Sequence, residues 1–359
     1  MSASKMLDEV RQQPVVLQRT LKSELSRIKE LKRLVAAKKP RFIVLVARGT
    51  SDNAAQFGRY LLEITTGIPV SLSAPSIFTL YKAKVSLADS LVVAISQSGE
   101  STDTNLVLER ARQQGALTVG ITNESSSTLA RLADYAFLVR AGKEKSVAAT
   151  KTYTGQLLAL YLLAYALGGS IRVEDLRRLP DWTASALKLE DQVAEAAQRY
   201  RFMDHALVVG RGLNYSNAFE LALKLMETCY VVAERFSSAD LLHGPIAMLE
   251  AGFPVFLFAP PGVTWPGLRQ LIARLSEIET ETLIVTDESN RRAVKQIGGE
   301  KLAHKVCIPV DLAYKDGPTD LFTPIPYIVP AQLFAGWLAH VKGLDPDRPR
   351  SLKKVTQTM

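Results

Sequence analysis

The chain has 359 residues, 47% apolar and 22% charged, enough for two ordinary domains and unlike a disordered protein. Two distant cysteines, Cys229 and Cys307, exclude a disulfide framework, and four scattered histidines show no ligand-like pairing, so neither metal nor cofactor is expected. The net charge of +8 arises wholly within the first 48 residues, where twelve Lys or Arg face four Asp or Glu.

Taken in chain order, the opening "MSASKMLDEVRQQP" has no apolar h-region, so no signal peptide is expected. The basic excess lies mostly on an amphipathic stretch, "VLQRTLKSELSRIKELKRLVAAKK". Such a patch can attract nucleic acid or an anionic membrane. A solvated helix face explains it more simply, and no aromatics are interleaved for base stacking, so neither partner is expected. "FIVLVA" (42–47), "LVVAIS" (91–96), "LTVGIT" (117–122) and "YAFLVR" (135–140) read as buried parallel strands, separated by amphipathic segments such as "TNLVLERARQQG". "LLALYLLAYAL" at 157–167 is too short for a bilayer and predicts a buried helix. After a polar helical connector, a second series follows: "ALVVG" (206–210), "VFLFAP" (255–260), "TLIVT" (282–286) and "VCIPV" (306–310).

This alternation predicts an α/β protein with two doubly wound parallel sheets. The halves echo one another: "VARGTSDNAAQFGRYLLE" from residue 46 parallels "VVGRGLNYSNAFELALKLME" from residue 208, an internal duplication. The expected boundaries are an N-terminal helix over 1–40, a first domain over 41–170, a connector over 171–200, a second domain over 201–342 and a tail over 343–359.

Two strand ends carry hydroxyl clusters. After 42–47 comes "RGTSDN", with Thr50 and Ser51; after 91–96 comes "SQSGEST", with Ser96, Ser98 and Ser101 around Gly99. Each turn opens a helix whose first amides are unsatisfied and whose dipole favours an anion. N-capping explains one such turn, but two together predict a phosphate cradle. The Walker signature is absent, which argues against a nucleoside triphosphate, and "GRGLNY" (210–215) lacks the third glycine of a dinucleotide fingerprint. Further on, Glu220, Lys224 and Glu227 share one helix face by their spacing, as a surface salt-bridge ladder would.

"RGTSDN", "SQSGEST", "VAATKTYT", "ALKLMETCYVVAERFSSADLLHGPIAML" and the terminal "DPDRPRSLKKVTQTM" together resemble the sugar-isomerase (SIS) family. Within it, the chain is similar to the isomerase half of the glucosamine-6-phosphate synthases. The resemblance implies two flavodoxin-like, three-layer domains. It implies that Thr50, Ser51, Ser96, Gln97, Ser98 and Ser101 hold a sugar phosphate and that the backbone at Val147 lines the sugar. Glu227 would be the base moving a proton between C1 and C2, a task suited to a carboxylate raised by partial burial, with Lys224 steadying it. His243 would assist ring opening, reaching the neighbouring subunit of a homodimer. Lys354 would form an imine with the ketose, beside Lys353.

The departures are Arg48 and Lys353 in place of small residues, and Ala149 in place of a serine. The chain also begins at the isomerase half, without an N-terminal cysteine nucleophile, so no glutaminase is expected. The implied function is a cytoplasmic amino-sugar-phosphate isomerase and deaminase, converting glucosamine 6-phosphate and water to fructose 6-phosphate and ammonia. The alternatives are another amine-bearing sugar phosphate, such as galactosamine 6-phosphate or an amino-acid adduct, and a non-catalytic sugar-phosphate sensor.

Overall fold

Aliphatic runs without polar alternation belong to strands covered on both faces. The computed structural model of the chain describes residues 4–297, 305–312 and 319–352, and it sets each such run in a parallel sheet. Residues 12–144 and 149–180 form one compact unit; residues 4–11, 145–148 and the described residues from 181 to 352 form another.

The first unit holds β1 (Phe42–Val46), β2 (Val70–Leu72), β3 (Ser90–Ile95), β4 (Leu117–Thr122) and β5 (Tyr135–Leu138). They are parallel, in the order β2-β1-β3-β4-β5, with Val44 opposite Val92 and Val92 opposite Thr118. Helices Gln13–Lys38, Thr50–Thr66 and Lys151–Ala166 pack together on one side; Ser76–Thr79, Thr102–Gln113 and Thr128–Leu132 pack on the other. All but the last residue of the eleven-residue apolar run lies in helix Lys151–Ala166, which is buried around nearly its whole circumference, as a helix apolar all round must be.

The basic helix Gln13–Lys38 turns its apolar stripe, Val16, Leu17, Leu21, Ile28 and Leu31, inward. Several of its cations serve its own unit. Arg27 donates to the carbonyl of Ala136 at 3.2 Å, Lys38 donates to that of Gly115 at 2.9 Å, and the Lys32 ammonium sits 3.8 Å from the centre of the Tyr165 ring. Buried Glu24 pairs with Arg27 and Arg140, and its burial pushes the carboxyl pKa up.

The second unit repeats the plan with β6 (His205–Gly210), β7 (Val232–Ser237), β8 (Pro254–Ala259), β9 (Glu281–Asp287) and β10 (Lys305–Val310), in the order β10-β9-β8-β6-β7. Read from the other edge, this is the topology of the first sheet. Helices Tyr215–Cys229, Glu190–Arg199 and Lys5–Arg11 gather around the buried helix Pro324–Val341, while Ser238–Leu242 and Trp265–Glu277 cover the other face. The segment ahead of β1 is therefore two helices, Lys5–Arg11 and Gln13–Lys38. Pro14 lies in the first turn of the second, where its missing N–H costs nothing.

The apolar pattern did not reveal β2 and β7. Both are edge strands, and β7 alternates exposed and buried residues around charged Glu234 and Arg235. Among the described residues, no helix is long and apolar enough to cross a membrane.

Candidate active site

In a sheet of order 2-1-3-4-5 the chain direction switches between β1 and β3, which leaves a crevice at their carboxyl ends where ligands bind. Both hydroxyl turns of the first unit lie there, side by side, because β1 and β3 are paired. The first turn passes through Gly49, at φ +56°, into helix Thr50–Thr66; the second leads through Ser101 into Thr102–Gln113.

The scaffold orients these hydroxyls. Ser51 Oγ accepts from the Gln156 side-chain amide at 3.0 Å, Ser96 Oγ accepts from Gly99 N at 3.1 Å, and Ser98 Oγ accepts from Glu100 N at 3.3 Å. With one acceptor position filled, each hydroxyl retains its proton to donate to an incoming anion. Ser101 differs: its hydroxyl donates to Asp103 Oδ1 at 2.8 Å. Thr50 and Gln97 are half-buried at the same turns.

The turn 96–101 is stitched to the loop after β4. Gln97 O accepts from Asn123 N and Gly99 O from Leu129 N, each at 3.0 Å, and Glu100 accepts from both the amide and the hydroxyl of Thr128. Those two hydrogen bonds hold the Glu100 carboxyl pKa below its usual range.

Gly99 has φ +67°, and a Cβ there would stand 2.2 Å from Ser127 Oγ. An alanine would carry about 1–3 kcal/mol of left-handed backbone strain, and the turn or Ser127 would have to move. Gly99→Ala is expected to weaken binding of inorganic phosphate at least about tenfold by titration calorimetry. Unchanged affinity would show that this turn does not grip the anion.

The second sheet has the same switch point between β6 and β8, but the chain there reads Arg211-Gly212-Leu213 and Pro260-Pro261-Gly262, without hydroxyls. Its chemistry lies on helix Tyr215–Cys229. Glu220 and Lys224 are fully buried and Glu227 is partly exposed. The Lys224 ammonium sits 2.6 Å from Glu227 Oε2 and 3.4 Å from Glu220 Oε1. The surface ladder that the spacing suggested is thus a buried triad, and of its three side chains only Glu227 reaches solvent.

Tertiary contacts fix this helix. Asn214 donates to Thr323 Oγ1 at 2.6 Å, Asn217 donates to the Pro324 carbonyl at 2.9 Å, and the Cys229 thiol, its pKa pushed up to about 11 by burial, faces the Ala335 carbonyl. Tyr230, the left-handed residue ending the helix, accepts from Arg350 N at 2.8 Å and stacks under the Arg350 guanidinium. The segment leading toward the C-terminus is therefore anchored three residues beyond Glu227.

His243 is exposed at the end of helix Ser238–Leu242, next in sequence to exposed Leu242 and five residues before exposed Met248. Val147 lies in the 145–148 segment, whose Lys145 and Ser146 amides donate to buried Glu9. Lys353 and Lys354 lie outside the described residues. Sequence reasoning missed the supports: Gln156, an amide immediately ahead of the apolar run 157–167, and Asp103 and Ser127, which resemble ordinary capping residues. Among the described residues, no cluster of three or more His, Cys, Asp or Glu is placed to hold a metal.

A family model described as "SIS domain" matches residues 37–166 and 201–341. Glutamine–fructose-6-phosphate aminotransferase (isomerizing) of Pseudomonas syringae pv. tomato is 36% identical over 97% of this chain, which spans 58% of that relative's length. The C-terminal domain of glucosamine-fructose-6-phosphate aminotransferase from Francisella tularensis superimposes with a TM-score of 0.84 at 28% identity, over 97% of this chain and 98% of that one. Glucosamine-6-phosphate deaminase from Thermotoga maritima shares the fold, with a TM-score of 0.76 at 22% identity over 99% and 100% of the two chains.

Proposed function

The chain belongs to the SIS domain family, and from that premise we propose that it is an amino-sugar-phosphate isomerase and deaminase, converting glucosamine 6-phosphate and water to fructose 6-phosphate and ammonia. Ser51, Ser96 and Ser98, with Thr50 and the amides of two helix N-termini, take the phosphate. His243 moves a proton from the C1 hydroxyl to the ring oxygen, opening the ring. Glu227 removes the C2 proton of the open-chain aldehyde while O1 takes a proton from water, and it then returns the proton to C1 of the enolamine, leaving a protonated imine at C2. Water adds to that imine and ammonia departs. Lys224 holds one carboxylate oxygen of Glu227, so the other is free to face the sugar. Exposed His243, close in sequence to exposed Leu242 and Met248, fits a residue completed by a second copy of the chain, and Lys354 is assigned to imine exchange with the ketose.

The observation that carries this reading is the buried Glu220–Lys224–Glu227 triad with Glu227 alone open to solvent. Incubation with glucosamine 6-phosphate is expected to give ammonia and fructose 6-phosphate in equal amounts, with solvent deuterium entering C1 of the product in heavy water. The hydroxyl turns address the phosphate rather than the sugar stereochemistry, so galactosamine 6-phosphate and amino-acid adducts of fructose phosphate belong in the same panel. Absence of both amine release and C2 proton exchange across that panel would overturn the reading.

A further inference from the structure

The hydroxyls of the two turns carry no charge, and the turns also hold the carboxyl groups of Asp52 and Glu100, whereas a phosphate monoester at neutral pH carries close to two negative charges. The nearest side chain in sequence that can answer this charge is Arg48, one residue before Gly49. It is half exposed, and its Nε donates to Asp103 Oδ2 at 2.8 Å. Asp103 is almost fully buried in the first turn of helix Thr102–Gln113, behind the second hydroxyl turn. Because β1 and β3 are neighbours, the Arg48 side chain reaches from the first turn to the helix that follows the second.

Two features separate this pair from an ordinary surface salt bridge. Asp103 already has partners, the Ser101 hydroxyl at 2.8 Å and the positive end of its own helix, so it does not need Arg48 for burial. Arg48 also meets Asp103 through Nε, and its Nη1 and Nη2 groups make no hydrogen bond among the described residues. A guanidinium fixed through Nε keeps its two Nη groups for planar recognition of a second oxyanion. That oxyanion would compete there with the neighbouring Asp52 carboxylate, whose pKa burial raises and the Arg48 charge already acts to lower.

We propose that Arg48 is a phosphate-binding residue of this site, with Asp103 as the positioning residue that aims it. The inference rests on the function proposed above and adds a cation to a cradle whose other side-chain donors are uncharged hydroxyls. It makes the site selective for the phosphate dianion and its affinity dependent on salt.

The test is titration calorimetry with inorganic phosphate and with glucosamine 6-phosphate at low and high salt, alongside steady-state kinetics. The proteins are wild type, Arg48→Met, Arg48→Lys, Asp103→Asn, the Arg48→Met/Asp103→Asn double variant and Ser98→Ala, each checked by thermal melting. Arg48→Met is expected to weaken phosphate binding about 10–100-fold, as loss of a charged hydrogen bond does, to flatten the salt dependence, and to raise KM more than it lowers kcat. Arg48→Lys falls between Arg48→Met and wild type, and the double variant stays as weak as Arg48→Met.

Recovery of wild-type affinity in the double variant would show that Arg48 merely neutralises Asp103, and would overturn the proposal. So would wild-type affinity and salt dependence in Arg48→Met while Ser98→Ala binds weakly, a result that leaves the hydroxyl cradle standing. Wild-type protein that binds neither ligand would remove the site reading and the Arg48 role together.

Discussion

Glu227→Gln is expected to lower kcat about 10²–10⁴-fold, the usual contribution of a positioned general base, while sugar-phosphate affinity stays close to that of wild type. Glutamine keeps the size and hydrogen-bonding reach of the side chain but cannot accept the C2 proton. Affinity is preserved because the proposed phosphate contacts come from Ser51, Ser96 and Ser98, at the strand ends of the other sheet. Two measurements check this: turnover of glucosamine 6-phosphate, and wash-out of a C2 deuterium label in water. A Glu227→Gln protein that exchanges C2 at the wild-type rate would remove Glu227 from the reaction.

Lys224→Met is expected to cost about 3–5 kcal/mol of stability, because removing one partner of a buried ion pair leaves the other charge uncompensated. Glu220 is the group that loses this cation: its side chain has no solvent exposure, and the Lys224 ammonium lies 3.4 Å from it. The double variant Glu220→Gln/Lys224→Met removes both charges and should recover most of the loss. An exposed pair of similar local spacing behaves differently. Arg274 and Glu277 are 2.8 Å apart with both side chains more than half exposed, and disrupting them should change stability by less than about 1 kcal/mol. Urea denaturation of the four proteins provides the comparison. A Lys224→Met midpoint no lower than that of Arg274→Ala would contradict it.

Much of the architecture is legible along the chain because parallel sheets impose a one-dimensional signal. Strands covered on both faces need unbroken aliphatic runs, and β1, β3, β4 and β5 in one sheet and β6, β8, β9 and β10 in the other have bounds within two residues of those runs. Edge strands escape this rule: Val70–Leu72 is short and β7 is half solvated, so neither has to be continuously apolar. The hydroxyl turns were also legible, since Ser, Thr and Gly at a strand end are required locally, by backbone geometry and by unsatisfied helix amides.

Partner assignments were not legible, because they depend on residues distant in sequence. The spacing of Glu220, Lys224 and Glu227 determines a shared helix face but not whether it meets water. The packing of Tyr215–Cys229 against Pro324–Val341 decides that, by burying the first two side chains and leaving the third partly open. Likewise "RGTS" contains an arginine whose use no local pattern reveals, and strand pairing across 55 residues of sequence brings it to Asp103. The sequence by itself thus determined the periodic features: two parallel sheets, their duplication and the hydroxyl-rich strand ends. Tertiary structure alone decided burial and charge pairing, because the desolvation that turns a carboxylate, an ammonium or a guanidinium from a solvated surface group into a directed one exists only where distant elements close around it.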